Sequence, residues 1–143
     1  MSILTTIRST KGNKLPGILR IFLGIMFLMT GLMKLFVPML GEAFSGQLIA
    51  AGIPFYELNV IAVPLIETAV GLLLLFGLFS RVASLIVIGI MLVATYVHLL
   101  VENHDLFPLQ PNEPIIPIIA IVIAIYILLR GGGAWSLDLK ASK

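Results

Sequence analysis

The chain contains no cysteine among its 143 residues. That excludes disulfides, thiol–disulfide chemistry, iron–sulfur clusters and cysteine nucleophiles. Charge is scarce as well: 11% of residues are charged, against about 25% in an ordinary soluble domain. Apolar residues make up 59%, and the mean hydropathy is +1.14. They fall in runs too long for a small soluble core to hide. A water-soluble enzyme, a nucleic-acid binder and a disordered chain are excluded on these grounds. The net charge of +2 calls for no nucleic acid, because basic residues gather at the cytoplasmic face of membrane proteins.

Motifs for common cofactors are missing too. No HExxH or other diagnostic metal spacing occurs. His98 and Glu102 stand four apart and could share a face, with His104, Asp105 and Glu113 nearby, but outer-loop acids are ordinarily solvated and no metal is expected. Only His98 lies in an apolar run, so a bis-histidine haem has no frame. Gly131, Gly132 and Gly133 follow a predicted helix instead of opening one, which excludes a nucleotide-binding loop. What remains is an all-α polytopic membrane protein forming one domain over residues 1–143.

A spanning helix needs roughly 20 mostly apolar residues. Four segments fit or nearly fit: 15–37, 58–79, 82–101 and the shorter 114–129. They are continuously apolar, so a barrel is excluded. The predicted fold is a four-helix membrane bundle. Arg8, Lys11, Lys14, Arg20, Arg81, Arg130, Lys140 and Lys143 fall on one side of these spans. Glu42, Glu57, Glu102, Asp105 and Glu113 fall on the other. The positive-inside rule then places both termini in the cytoplasm. A tight turn at Phe79-Ser80-Arg81 makes spans two and three antiparallel neighbours. Phe44, Leu48 and Ala51 recur at helical spacing in the first outer loop, which reads as a short amphipathic helix. The second outer loop, Phe107 to Pro114, carries three prolines and reads as extended and stiff.

Polar residues inside the spans carry the functional information. On span one, Gly17, Arg20, Gly24, Phe27, Gly31 and Lys34 share one helical face. Its glycines would admit a second backbone, as Gly71 would on span two. Glu67 is the only acid in the middle of any span. It must be paired, protonated or solvated in a lumen. Lys34 and Glu67 differ in height by roughly 9 Å at 1.5 Å per residue. Their Cβ atoms lean toward each other, and the lysine stem covers further distance. His98 leans toward the same level, so a Lys34–Glu67–His98 cluster in the outer half of the bundle is the candidate site. The competing readings are snorkelling for Lys34 and an interfacial ring for His98. Arg20 and Arg81 read first as inner-surface anchors and second as ligand or proton-handling groups.

One further pattern comes from the order of these residues. Arg20 and Gly24 precede Gly31-Leu32-Met33-Lys34. Glu67 with Gly71 follows, then Gly77-Leu78-Phe79-Ser80-Arg81 and His98. Gly131-Gly132-Gly133-Ala134-Trp135-Ser136-Leu137-Asp138 closes the chain. This resembles the DoxX family of small four-helix membrane proteins, from about Pro16 to Asp138. The family is named for a subunit linked to thiosulfate:quinone oxidoreduction, and other members are associated with membrane oxidoreductase complexes and oxidative-stress defence. The resemblance implies a bacterial inner-membrane protein with a redox association. Arg20, Lys34, Glu67, Arg81 and His98 match the family's polar pattern in position.

Three functions follow as expectations. The first is a redox-associated subunit that binds a quinone or another lipid-soluble molecule, with Glu67, Lys34 and His98 bonding its oxygen and relaying a proton. No residue here carries electrons, so a partner or cofactor would. The second is a structural or assembly subunit packing, by its glycine stripe, against another membrane protein or a second copy. The third is a small-solute transporter, which four helices could form only as an oligomer.

Overall fold

The computed structural model describes residues 2–142, so Lys143, counted above among the basic residues, lies outside it. The described residues form seven α-helices and no strand. They are α1 (Ile3–Arg8), α2 (Lys14–Phe36), α3 (Pro38–Ala50), α4 (Tyr56–Phe76), α5 (Ser80–Leu100), α6 (Ile115–Arg130) and α7 (Leu137–Ala141). Three of them, α2, α4 and α5, are long and apolar enough to cross a membrane. The apolar α6 is shorter, at 16 residues.

Glycine and proline set the helix limits. The second apolar run reaches Phe79, but α4 stops at Phe76 because Gly77 takes a left-handed φ of 68°. The N–H groups of Gly77 and Leu78 then close on the carbonyls of Leu74 and Leu73, the hydrogen-bonded stop typical of a glycine C-cap. Gly131, with φ of 83°, ends α6. Pro38 opens α3 at its first position, and Pro117 sits in the first turn of α6, where no intrahelical donor is lost. The helix α3 follows α2 with only Val37 between them, and buries Phe44 and Leu48.

The helices pack as two close pairs. α2 lies extensively against α4, and α5 against α6, while α4 meets α5 more sparsely. Glycine makes the first pair possible. A Cβ on Gly24 would lie 2.8 Å from the nitrogen of Leu75, and one on Gly71 would lie 2.5 Å from the nitrogen of Leu28. Gly31 meets the backbone of Thr68 in the same way. The glycine face of α2 is therefore filled by α4 of the same chain. Gly17 is the exception, since it receives Ala134 and Trp135 of the tail. Leu23, Phe27, Val70, Leu74, Val87, Ala124 and Ile127 fill the space between the pairs.

Candidate functional site

The two ends of this bundle are built differently. At one end, the short helices α1 and α7 meet. Arg20 is wholly buried, and its guanidinium meets five backbone carbonyls. Nε donates to Gly132 at 2.8 Å. The Nη atoms donate to Leu74, to Leu75 at 2.8 Å, to Ala134 at 3.1 Å and to Trp135 at 3.3 Å. Leu74 and Leu75 lie in the last turn of α4, whose carbonyls lack the i+4 donor of a helix interior. Arg81 does the same for α6, donating to Leu128 and to Leu129 at 3.1 Å, and also to Ser9 at 3.1 Å. Both arginines thus cap helix C-termini, where the helix dipole favours a cation. The reading of Arg20 as a surface anchor is corrected by its burial. Neither arginine borders the cavity described next, because each is spent on carbonyls at the opposite end.

Toward the other end lies a cavity of about 740 Å3, walled mostly by apolar side chains. This is within the range of about 300–1,000 Å3 that holds small molecules. Lys34, Glu67 and His98 all border it. The ammonium of Lys34 donates to Oε1 of Glu67 at 3.0 Å and to Oε2 at 3.1 Å. It also lies 4.3 Å from the ring centroid of Phe44 on α3. Glu67 is buried and Lys34 half-buried. Lys34 therefore turns inward to a carboxylate and a ring, and does not snorkel outward. Pairing of this kind offsets part of the cost of holding each charge away from water.

His98 borders the same cavity but is held separately. Its Nε2 lies 3.1 Å from the carbonyl oxygen of Pro111 and 2.9 Å from that of Asn112. Two carbonyls can only accept, so Nε2 carries the proton. Phe107 packs on the ring, with centroids 4.3 Å apart. The three-residue cluster is thus an ion pair and a histidine around one space, with no hydrogen bond between them. The loop 107–114 is correspondingly folded back over His98, where its prolines suggested an extended strut. Gln47 adds a polar group to the wall and donates to the carbonyl of Leu106.

Sequence reasoning gives no site role to Phe44, Gln47 or Asp138. Phe44 reads only with Leu48 and Ala51 as the face of a surface helix, and Asp138 only as part of the closing motif. Asp138 is buried, and its carboxylate accepts the N–H of Phe79 and of Ser80, both at 2.9 Å. Among the described residues no group of three or more histidine, cysteine or acidic residues could hold a metal.

The DoxX family model matches residues 15–100, which holds both Lys34 and Glu67 and also His98. The match ends before α6 and the tail, so Gly131 to Asp138 lie outside it. No curated protein and no solved structure matches the chain. With more than half of its length matched, and three helices able to cross a bilayer, this chain belongs to the DoxX family of membrane proteins.

Proposed function

We propose that the chain is a redox-associated protein of the bacterial inner membrane that holds a quinone-like, lipid-soluble molecule beside Glu67. The observation that carries this reading is the shared border of Lys34, Glu67 and His98 on one largely apolar cavity. A flat apolar ring with polar oxygens fits such a space. The ammonium and the protonated histidine nitrogen are already engaged, so the carboxylate of Glu67 is the group best placed to accept from a ligand hydroxyl and take up its proton. Electrons pass to a partner or a bound cofactor, since no side chain of this chain carries them.

The same reading includes four membrane crossings with both termini in the cytoplasm. Arg8 meets Asp138 at 3.0 Å, which supports placing both ends on one side, as four crossings would do. At 1.5 Å per residue α6 spans about 24 Å, short of a hydrocarbon layer of about 30 Å, and local thinning closes the difference. Arg8, Arg20, Arg81 and Arg130 cluster toward that shared end, in keeping with a cytoplasmic face. The alternative of a packing subunit loses its main support, because the glycines of α2 are filled from within the chain.

The test is native mass spectrometry on protein purified from bacterial membranes. Wild type is expected to retain a lipid-soluble molecule with a quinone absorption spectrum, and Glu67→Gln to retain at least tenfold less. Wild-type protein free of any such molecule, together with no redox phenotype on deletion, overturns the proposal.

A further inference from the structure

Gly89 stands in the middle of α5, where glycine weakens a helix. The glycines of α2 and α4 are explained by a neighbouring backbone. Gly89 has no such reason: a Cβ there would meet nothing within 4 Å. It is exposed on the outward face of the helix. Yet it borders the same cavity as Lys34, Glu67 and His98. The cavity wall therefore reaches the outer surface at mid-helix.

Val97, Val93 and Gly89 trace the path. They are spaced by four, so they form one row along α5. All three border the cavity. Val97 is 4% exposed, Val93 is 49% exposed, and Gly89 is open. The row thus runs from interior to surface along α5. From His98 to Gly89 it covers about 14 Å at 1.5 Å per residue. That is longer than a single ring needs, and the path holds no charged side chain of α5.

We infer that the opening of the cavity at Gly89 on α5 is a lateral portal, through which the apolar tail of a bound amphiphile runs from the Glu67 cavity into the bilayer. The inference rests on the proposed lipid-soluble ligand and names its class: a polar ring carrying a long apolar chain. Gly89 sets which tails fit. A Cβ at this position meets nothing within 4 Å, so a longer side chain here obstructs the tail's path without disturbing the packing of the helices.

Decylubiquinone and its tail-less head group serve as probes, their retention by purified protein being measured by native mass spectrometry. Wild type is expected to bind the decyl compound at least tenfold more tightly than the head group. Gly89→Leu removes that advantage and leaves head-group binding within twofold of wild type. Gly89→Ala, with no side chain beyond Cβ, keeps most of it, and Glu67→Gln weakens both probes. Undiminished decyl binding by Gly89→Leu overturns the portal while leaving the binding reading intact. Failure of wild type to bind either probe overturns both. Gly89→Leu is fit for the test because the space is open and leucine favours a helix.

Discussion

Oδ2 of Asp138 accepts the backbone N–H of Ser80 at 2.9 Å, across 58 residues of chain. Helix α5 has no cap of its own, since its N-cap residue, Phe79, offers no side-chain hydrogen bond. The tail supplies the cap instead. In return, the N–H of Asp138 donates to the carbonyl of Gly77 at 2.9 Å, so the turn between α4 and α5 is clamped from both sides. An N-cap is worth about 0.5–2 kcal/mol, and burial of the freed N–H groups adds to that. Asp138→Ala is expected to destabilise the protein by about 2 kcal/mol, using the same cap and burial terms. Arg8→Ala removes only the partly exposed partner of Asp138 and should cost about 1 kcal/mol or less. Thermal unfolding in detergent compares the two; equal losses would show that the ion pair, and not the cap, matters.

The pair of Lys34 and Glu67 invites a double-mutant cycle. Removing one partner leaves the other charge without compensation, which costs about 3–5 kcal/mol when both are fully buried. Lys34 keeps 24% of its side chain exposed, so about 2–3 kcal/mol is expected after that discount. Lys34→Met and Glu67→Gln should each show such a loss. The double variant should recover part of it, because no unpaired charge then remains. Strictly additive losses in reversible unfolding would mean that the two side chains do not stabilise each other.

Much of this arrangement was legible in the sequence, and the reasons for the rest are physical. Long apolar runs announce helices, so α2, α4 and α5 follow from hydropathy. Lys34 and Glu67 lie within reach once rise per residue and Cβ direction are considered. The hydrogen-bond partners of Arg20, Arg81 and His98 were not legible, because all of them are backbone carbonyls. A carbonyl is present at every residue and leaves no mark in the sequence. The bond from Asp138 to α5 was hidden for a related reason, since its donors are main-chain N–H groups. The glycine stripe of α2 was visible, but not whether its occupant came from the same chain or another.

Two glycines should respond in opposite ways to the same substitution. At Gly71 an added Cβ meets the backbone of Leu28 at 2.5 Å. Backbone cannot give as a flexible side chain does, so α2 and α4 must part. Overpacking of this kind costs about 1–3 kcal/mol. At Gly89 the Cβ meets nothing, and the gain in helix propensity is about 0.8–1 kcal/mol. Gly71→Ala is thus expected to lower the unfolding midpoint and Gly89→Ala to raise it. A loss of stability from Gly89→Ala would reveal a neighbour at that surface, such as a second copy of the chain.

Arg20 gives the sharpest separation between the two ends of the bundle. Its five N–H groups match five carbonyls, and lysine offers only three donors from a single atom. Leu74 also accepts from Gly77, so Arg20→Lys leaves at least one carbonyl without a partner. Each buried carbonyl left so costs about 1–3 kcal/mol, and part of that is returned where Leu75 and Trp135 are only part-buried. A net loss of about 1–3 kcal/mol is expected from these terms. The damage should be local. Residues 132–135 lose their hold on α2, so tail amides should exchange hydrogen faster and the tail should be cut sooner by protease. The cavity lies toward the far end, and its ion pair is untouched by the change. Retention of the ligand proposed at Glu67 should then survive under conditions where Arg20→Lys is still folded. Concerted loss of tail protection and ligand retention would instead join the two ends into one cooperative unit, with the tail controlling the site from across the bundle.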